Sequence, residues 1–345
     1  MMKRTKNDTW APVFKETKGA ILKPFNILFL IAVLLFLPFG SHLVCAEKMA
    51  SGQKSALSPL AMKALMLDAA AKGGHVVCVG ERGYILVSDD DGKNWRQVEG
   101  VPTRATLTGV YLHDEKLGWA VGHDAVILRT TDGGKAWESV FSDPALEMPL
   151  LDVWFKDARN GFAIGAYGLF MVTTDGGSTW SRRKIGEDDY HLNHISASQS
   201  GKLYLSAESG KVYRSDDGGE VWQILSLPYE GSIFCTLPLK GEAVLAFGLR
   251  GNAFRSTDSG ASWTKIDTGL TAMLNDAQVL RDGRIVVCGL GGALIESRDE
   301  GKSFQSIEKK SGRQGISKIL EAKGAGLLLF GEFGVQTMSL TASNT

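Results

Sequence analysis

An eight-residue string recurs six times along the chain, and successive copies begin 41 to 43 residues apart. Its shared form is Ser/Thr-x-Asp-x-Gly-x-x-Trp/Phe, and the copies begin at positions 88, 130, 173, 215, 256 and 297. A constant period of this length is typical of architectures in which each unit buries its apolar surface against its neighbours. The sequence therefore predicts one repeated unit rather than a series of unrelated domains.

Each repeat contains short apolar runs separated by turns, as in Leu107–Leu112 and the following AVGHDAVIL. Three such runs precede the string, and a fourth begins at its aromatic residue. Short strands divided by glycine-containing turns are the pattern of an all-β protein, and 41 of the 345 residues are glycine. Four strands in about 42 residues match one blade of a β-propeller.

A seventh copy, without the string, occupies 315–340, so the predicted fold is all-β: a seven-bladed β-propeller built from Asp-box repeats of about 42 residues. The predicted organisation is a leader at 1–46 and a single propeller at 47–345. The repeats lie near 64–105, 106–148, 149–190, 191–231, 232–272, 273–313 and 314–345. Because the seventh repeat lacks an outer strand, we expect residues 55–63 to supply a strand that closes the ring.

We interpret the recurrent string, the Asp box, as part of the scaffold. Its Asp and Ser/Thr side chains suit a tight turn, because they accept hydrogen bonds from nearby backbone N–H groups. Its glycine tolerates a positive φ, and its aromatic residue buries a large apolar area. The box residues assigned to this role are Asp90, Trp95, Asp132, Trp137, Asp175, Trp180, Asp217, Trp222, Asp258, Trp263, Asp299 and Phe304.

The first 46 residues have the features of an export signal. A basic segment is followed by the apolar run Ile27–Leu37, which is too short to span a bilayer, and then by Val44 and Ala46 at the positions before a cleavage site. This pattern predicts an exported body, in the periplasm or on the outer side of the cytoplasmic membrane. Two interpretations remain open: a signal cleaved after Ala46, or a retained N-terminal anchor.

Composition and motifs argue against several classes of function. The 38 basic residues equal the 38 acidic ones, whereas a nucleic-acid binder needs a basic excess. The Gly-x-Ser-x-Gly motif of α/β-hydrolases is absent. His191 and His194 have the spacing of a histidine pair, but three residues on a strand place side chains on opposite faces. We therefore expect no catalytic residues, no cofactor and no metal site.

The candidate binding residues lie in the turns between second and third strands, at the opposite end of each blade from the box. The side chains of these turns differ in charge and apolarity from blade to blade, while the blade itself is repeated. Such variation suits a protein-binding surface, where Arg and aromatic residues serve as anchors. We expect a monomeric ring that binds a partner there. The candidates are Arg82, His123, Tyr167, Glu208, Arg250 and Phe333, with Arg104 and Arg183 from the connections between blades.

The boxes resemble those of the BNR/Asp-box propellers, which include sialidases. The segment 107–137, LTGVYLHDEKLGWAVGHDAVILRTTDGGKAW, is echoed by the next repeat and resembles the photosystem II stability/assembly factor-like propellers. That resemblance implies an exported, non-catalytic, seven-bladed ring that binds a membrane protein during its assembly. It also implies the thylakoid lumen as the location if the source is photosynthetic.

The resulting expectation is a factor that assists the assembly or stability of an envelope membrane protein or complex. The alternative is a glycan-active or glycan-binding propeller of the sialidase type. The sialidase pattern is a six-bladed ring with an Arg-Ile-Pro motif, and this chain has no Arg-Ile-Pro sequence. A catalytic pair of carboxylates is not excluded by a chain rich in acidic residues, so this alternative remains open.

Overall fold

A computed structural model describes residues 53–308, 312–323 and 326–340, and within these ranges the strands form seven separate antiparallel sheets. Six of these sheets have four strands, and the last has three. The first strands of neighbouring sheets contact one another in chain order, and the first strand of the first sheet also contacts that of the last. The sheets therefore close into a ring, which confirms the predicted all-β, seven-bladed propeller.

The first four blades have four strands each. Their bounds are β1 Met66–Lys72, β2 His75–Gly80, β3 Ile85–Ser88 and β4 Arg96–Gln97 in blade 1; β5 Leu107–Leu112, β6 Gly118–Gly122, β7 Ile127–Thr130 and β8 Glu138–Phe141 in blade 2; β9 Leu150–Phe155, β10 Gly161–Gly165, β11 Phe170–Thr173 and β12 Ser181–Arg182 in blade 3; and β13 Leu192–Ala197, β14 Leu203–Ala207, β15 Lys211–Ser215 and β16 Gln223–Ser226 in blade 4.

The remaining strands complete the ring, and short 3-10 turns lie between many of them. The strand bounds are β17 Ile233–Pro238, β18 Val244–Gly248, β19 Ala253–Ser256 and β20 Thr264–Ile266 in blade 5; β21 Leu274–Val279, β22 Ile285–Gly289, β23 Leu294–Ser297 and β24 Gln305–Ser306 in blade 6; and β25 Ile316–Ala322, β26 Gly326–Gly331 and β27 Gly334–Ser339 in blade 7. The 3-10 turns are Ala61–Lys63, Glu81–Gly83, His123–Ala125, Pro144–Leu146, Ala166–Gly168, Leu249–Gly251 and Leu290–Gly292.

Apolar side chains fill the seams between neighbouring blades. At the seam of blades 2 and 3, the fully buried Trp119 stacks on Phe155 with ring planes only 9° apart. The Trp119 Nε1 also donates a hydrogen bond to the carbonyl oxygen of Gly176 in the box of blade 3, at 3.2 Å. Each blade thus depends on its neighbours to bury both of its faces, as in other repeat proteins.

Each of the six boxes is held by the same set of hydrogen bonds. The Ser or Thr hydroxyl donates to the box carboxylate at 2.7–2.9 Å and accepts the backbone N–H of the box glycine. In blade 5, the Asp258 carboxylate also accepts the N–H and the hydroxyl of Ser262, at 2.8 and 2.6 Å. These donors stabilise the ionised carboxyl group, so the pKa of Asp258 falls to about 2.

The Asp258→Asn variant is expected to lower the melting temperature at pH 7 and to have little effect at pH 2. The pKa of Asp258 in the folded protein lies below its ordinary value of 3.8. The carboxylate therefore contributes stability that is fully present above about pH 4 and is lost as the pH falls through about 2. Thermal unfolding of both proteins at pH 7, 4 and 2 measures this, and an equal difference in melting temperature at all three pH values would contradict it.

The expected closing strand at 55–63 is wrong, since these residues form no strand and blade 7 has three strands in the described part of the chain. Residues 53–60 run instead over the end of blade 1. The Ser55 N–H donates to the Val101 carbonyl at 2.9 Å, and the Ser58 N–H donates to Gln97 Oε1 at 2.8 Å. Pro59 gives one physical reason, because it has no N–H to donate to a strand partner.

The 3-10 turn Ala61–Lys63 closes the seam between blades 1 and 7 by packing. Ala61 is buried in the apolar cluster of this seam, and Met62 packs at its edge with Val335 of β27. The turn also lies close to β27 at Gly334, where an added Cβ would come within 2.0 Å of the Met62 carbonyl oxygen. The ring therefore closes through side-chain contacts at this seam rather than through an added strand.

The leader predicted for 1–46 lies outside the described residues. Among the residues that are described, no helix has both the length and the apolarity required to cross a membrane.

Candidate binding face and central channel

The turns between second and third strands lie at one end of the blades, which we call the turn face; the boxes lie at the other. In all seven blades the first residue of this turn donates its backbone N–H to a carbonyl just before the first strand of the same blade. In blade 1 the Glu81 N–H bonds the Leu65 carbonyl at 3.0 Å, and in blade 2 the His123 N–H bonds that of Thr106 at 2.9 Å. The turns are thus held by main-chain atoms, which leaves their side chains free to differ.

The second residue of the turn has a left-handed backbone in six blades. Blade 6 has Gly291 there, at φ 64°, which suits a residue without a Cβ. Three candidate residues occupy the same position with positive φ: Arg82 at 58°, Tyr167 at 53° and Arg250 at 56°. A non-glycine residue in this region costs about 1–2 kcal/mol. Backbone strain of this kind clusters at functional sites.

The side chains of these turns are presented to solvent. Arg82, His123 and Arg250 are exposed, and Tyr167 is 50% exposed although it is a large aromatic residue. Exposed Leu290 adds an apolar side chain in blade 6. The turn face therefore combines cationic, aromatic and aliphatic groups, the composition typical of anchor residues at protein interfaces.

The structure brings Tyr167 and Glu208 together through His191, at the turn-face end of blades 3 and 4. The Tyr167 ring meets the His191 ring edge to face, with centroids 4.7 Å apart. Glu208 Oε2 accepts the backbone N–H of His191 at 3.1 Å, and Glu208 Oε1 lies 3.6 Å from His191 Nδ1. The two candidates thus form one contact group that joins adjacent blades.

Two other candidates have different surroundings. Phe333 is partly buried and packs against the apolar cluster between blades 6 and 7. Arg104 is exposed in the connection between blades 1 and 2, where its Nη1 donates to Gln53 Oε1 at 3.0 Å. The structure therefore places Arg104 beside the segment that crosses blade 1.

Arg183 directs its guanidinium to the box of blade 4. Its Nη2 donates to the Gly219 carbonyl oxygen, and its Nη1 lies 3.2 Å from Glu220 Oε2. The same guanidinium lies over the rings of Phe162 and Phe170 of blade 3, at 5.9 and 5.3 Å from their centroids. These contacts join blades 3 and 4 and direct the charge of Arg183 away from the turn face.

Bonds of the same kind recur at two further seams. Arg214 of blade 4 donates to the Ser259 carbonyl in the box of blade 5 at 3.1 Å, and Arg255 of blade 5 donates to that of Glu300 in blade 6 at 3.0 Å. An arginine bound to the box of the following blade is therefore a repeated joint of this ring.

The central channel contains a polar layer that sequence reasoning missed. Every first strand has a bulge near its turn-face end, and the residue that follows the extra residue of the bulge pairs at the same position in all seven blades. The first strands of all seven blades line a cavity of about 110 Å³ at this level. Asp68, Asp152, His194, Asp276 and Lys318 line this cavity, and Gly109 and Cys235 occupy the equivalent positions of blades 2 and 5; these seven residues are the channel layer.

The three aspartates of the channel layer link neighbouring blades. Each accepts the N–H of a residue on the first strand of the next blade: Asp68 from Val110, Asp152 from Ile195 and Asp276 from Ile319, at 2.8–3.0 Å. These bonds satisfy backbone N–H groups of first strands, which are edge strands of their sheets.

Lys318 supplies the cation of the channel layer. Its Nζ lies 3.2 Å from Asp276 Oδ1 and 3.3 Å from Asp68 Oδ1. Although burial opposes it, the two carboxylates raise the pKa of Lys318 well above its ordinary value. Burial, together with the charge of Asp68, raises the pKa of Asp152 to about 7. The layer therefore holds Lys318 charged and favours a proton on Asp152 below neutral pH.

His191 and His194 lie in different environments. His191 lies beside Tyr167 and Glu208, whereas His194 belongs to the channel layer. Burial lowers the pKa of His194 to about 3, so its ring is neutral at physiological pH. The only group of three or more metal-ligating side chains found among the described residues is His194, Cys235 and Asp276, whose ligand atoms lie within 4.8 Å of one another.

A signal for the channel layer exists in the sequence. Its seven positions are 41 to 43 residues apart, so an alignment of the repeats places them in one column. Apolar residues are the usual occupants of an inner strand. A column of that strand with Asp, His, Cys and Lys would therefore have identified the channel layer.

Comparison with known proteins supports the assembly-factor resemblance. A sequence model of the family described as photosynthesis system II assembly factor YCF48 matches residues 141–271. The chain resembles the photosystem II assembly factor propellers. This confirms the resemblance drawn from the repeats, and no curated protein matches the chain significantly.

Solved structures of YCF48 share the fold of this assembly-factor-like propeller. A structure described as YCF48 bound to a D1 peptide is 19% identical, with a TM-score of 0.66, over 81% of this chain and 93% of the other. YCF48 from Cyanidioschyzon merolae is 17% identical, with a TM-score of 0.66, over 84% of this chain and 99% of the other.

Glycoside hydrolases of the GH74 type also share the fold. An ancestral GH74 enzyme is 13% identical, with a TM-score of 0.68, over 86% of this chain. The alignment covers 46% of that enzyme, so this assembly-factor-like propeller corresponds to about half of its length.

Proposed function

We propose that the protein is an exported, non-catalytic propeller whose turn face binds a segment of an envelope membrane protein and assists its assembly or stability. The observation that carries this proposal is the left-handed backbone of Arg82, Tyr167 and Arg250. Glycine fits this position without strain, as Gly291 does in blade 6, yet three blades place large binding-type side chains there. A role of these side chains in binding explains why that strain is retained.

The family resemblance supports the class of partner. The chain resembles the YCF48 assembly factors, and one of the YCF48 structures with this fold is described as bound to a D1 peptide. A peptide segment of a membrane protein matches the mixture of cationic, aromatic and aliphatic side chains on the turn face. Export to the periplasm, or to the thylakoid lumen of a photosynthetic source, would bring the ring to such a partner.

Glycine variants separate binding from folding. Arg82→Gly, Tyr167→Gly and Arg250→Gly each remove a side chain and relieve its strained backbone, so the melting temperature should equal or exceed that of the wild type. Recovery of the membrane partner by crosslinking and pull-down from the native envelope should fall at least tenfold when the three changes are combined.

Glu300→Gly is the matched control for this experiment. Glu300 also has a left-handed backbone, at φ 60°, but lies in the box of blade 6, where three other boxes have glycine at the same position. The control should leave partner recovery unchanged. Equal recovery by the triple variant and the wild type, or loss of recovery together with a lower melting temperature, would contradict a binding role of these turns.

A glycan-active or glycan-binding propeller is the second candidate, and the GH74 fold similarity favours it. Incubation with chromogenic glycosides and a panel of soluble polysaccharides distinguishes the two proposals. Turnover that is lost when one pair of carboxylates is replaced would support the hydrolase and overturn the assembly factor.

A further inference from the structure

Three neighbouring blades bring different metal-ligating atoms together in the channel layer. A ring nitrogen of His194 in blade 4, Sγ of Cys235 in blade 5 and a carboxylate oxygen of Asp276 in blade 6 lie within 4.8 Å of one another. Each directly follows the bulge of its first strand, so the ring geometry itself places the three side by side. Cys235 and Asp276 are at least 95% buried.

These atoms have capacity left for a further bond. His194 Nδ1 is buried and has no hydrogen-bond partner. The Cys235 sulfur makes a long contact of 3.7 Å with the Thr236 carbonyl and accepts the backbone N–H of Ala277, which leaves a lone pair for a metal ion. Each Asp276 oxygen accepts one hydrogen bond, from Lys318 or from the Ile319 N–H, and so retains a lone pair. An unpartnered buried nitrogen carries a free-energy penalty that a ligand would remove.

The charge of the channel layer also suits a cation. Three carboxyl groups, those of Asp68, Asp152 and Asp276, line the cavity together with one amino group, that of Lys318, so acidic groups outnumber basic ones there. This excess of acidic groups favours a bound divalent cation. Its thiolate ligand would form by release of the Cys235 proton to solvent, as occurs when metals bind protein thiols.

We propose that His194, Cys235 and Asp276 form a transition-metal site in the central channel, of the class that binds Zn²⁺. Nitrogen, sulfur and carboxylate oxygen together are ligands of zinc and of related first-row ions, whereas Ca²⁺ and Mg²⁺ take oxygen ligands. Three protein ligands leave a fourth position on the ion, and because His194 and Asp276 line the cavity, a ligand could reach that position from there. The bound ion would join blades 4, 5 and 6 at the turn-face end of the channel.

Cobalt is a spectroscopic probe for this site. The full chain, stripped of metal with a chelator, is titrated with Co²⁺ while the near-ultraviolet thiolate-to-cobalt band and the visible bands are recorded. One equivalent should produce both sets of bands, and excess Zn²⁺ should abolish them. Zn²⁺ should also raise the melting temperature of the stripped protein.

Single substitutions then test each ligand. Cys235→Ser should remove the thiolate band, and His194→Gln should weaken Co²⁺ binding by more than about 100-fold, beyond the loss typical of an outer-shell partner. Cys78→Ser is the matched control, because Cys78 is a buried thiol in blade 1, and it should retain the band. Circular dichroism confirms that each variant is folded.

Two results would overturn the metal site. One is a wild-type protein that shows neither a thiolate band nor a shift in melting temperature at 100 μM Co²⁺ or Zn²⁺. A site with a Kd of roughly 100 μM would be half occupied at this concentration. The other is a band that persists in folded Cys235→Ser. If Cys235→Ser fails to fold, retention of Co²⁺ affinity by His194→Gln decides against the site.

Discussion

Replacement of Lys318 by methionine is expected to lower the free energy of unfolding by about 3–5 kcal/mol. Methionine keeps most of the apolar stem but removes the ammonium that lies 3.2 Å from Asp276 and 3.3 Å from Asp68. Both carboxylates are at least 85% shielded from water, so they would be left without a counter-charge in a poorly hydrated site. Chemical denaturation at pH 7 measures the loss.

A second substitution distinguishes lost charge from lost packing. Asp276→Asn in the Lys318→Met background removes one of the stranded carboxylates and keeps an oxygen that can accept the Ile319 N–H. The double variant should therefore recover part of the stability. A double variant that is less stable than Lys318→Met would show that the ammonium is not needed to balance these charges.

Gly122→Ala is expected to destabilise the ring by about 3 kcal/mol, the upper part of the range for overpacking in a well-packed core. A Cβ at this position would lie 2.2 Å from the carbonyl oxygen of Thr106 and 2.8 Å from the Cα of Leu107. Both neighbours are main-chain atoms and cannot rotate away. The same carbonyl anchors the turn through His123, so the added methyl group would also displace part of the turn face.

Gly312→Ala is the control for this prediction, because its Cβ would meet no atom within 4 Å and its φ is not positive. Equilibrium unfolding measures the free energy of unfolding of both variants, and so compares a crowded position with an open one. Equal stability of Gly122→Ala and Gly312→Ala would contradict the steric argument.

The fold was predictable from the sequence because each repeat contains a turn that is formed by local hydrogen bonds. The side chains of each box accept the backbone N–H groups of their own turn, so Ser-x-Asp-x-Gly forms the same turn wherever it occurs. The constant spacing of these turns then predicts a ring of equal blades. The closing segment has no such signature. Residues 55–63 contain apolar side chains that suit a strand as well as a seam, and their position is decided by partners about 40 residues away, such as Gln97 and Val101.

The candidate sites were predictable to different degrees. The turn positions follow from strand order alone, so the sequence locates Arg82, Tyr167 and Arg250, but their backbone strain is visible only in three dimensions. Arg183 shows the limit of the argument, because a long side chain can leave its own turn and bind the box of the next blade. The position of the channel layer depends on a bulge in each first strand, and no short sequence pattern predicts that bulge.

The anchoring of the turns by main-chain bonds has a consequence for the evolution and engineering of this ring. The bonds from the turn N–H groups to the carbonyls before each first strand do not depend on the identity of the side chains. Specificity for a partner can therefore change at one blade without a compensating change in another. A library randomised at positions 82, 124, 167, 209, 250 and 291 would be a six-position display surface in which the main-chain anchors stay the same and the left-handed backbone sets the same cost of about 1–2 kcal/mol for a non-glycine residue.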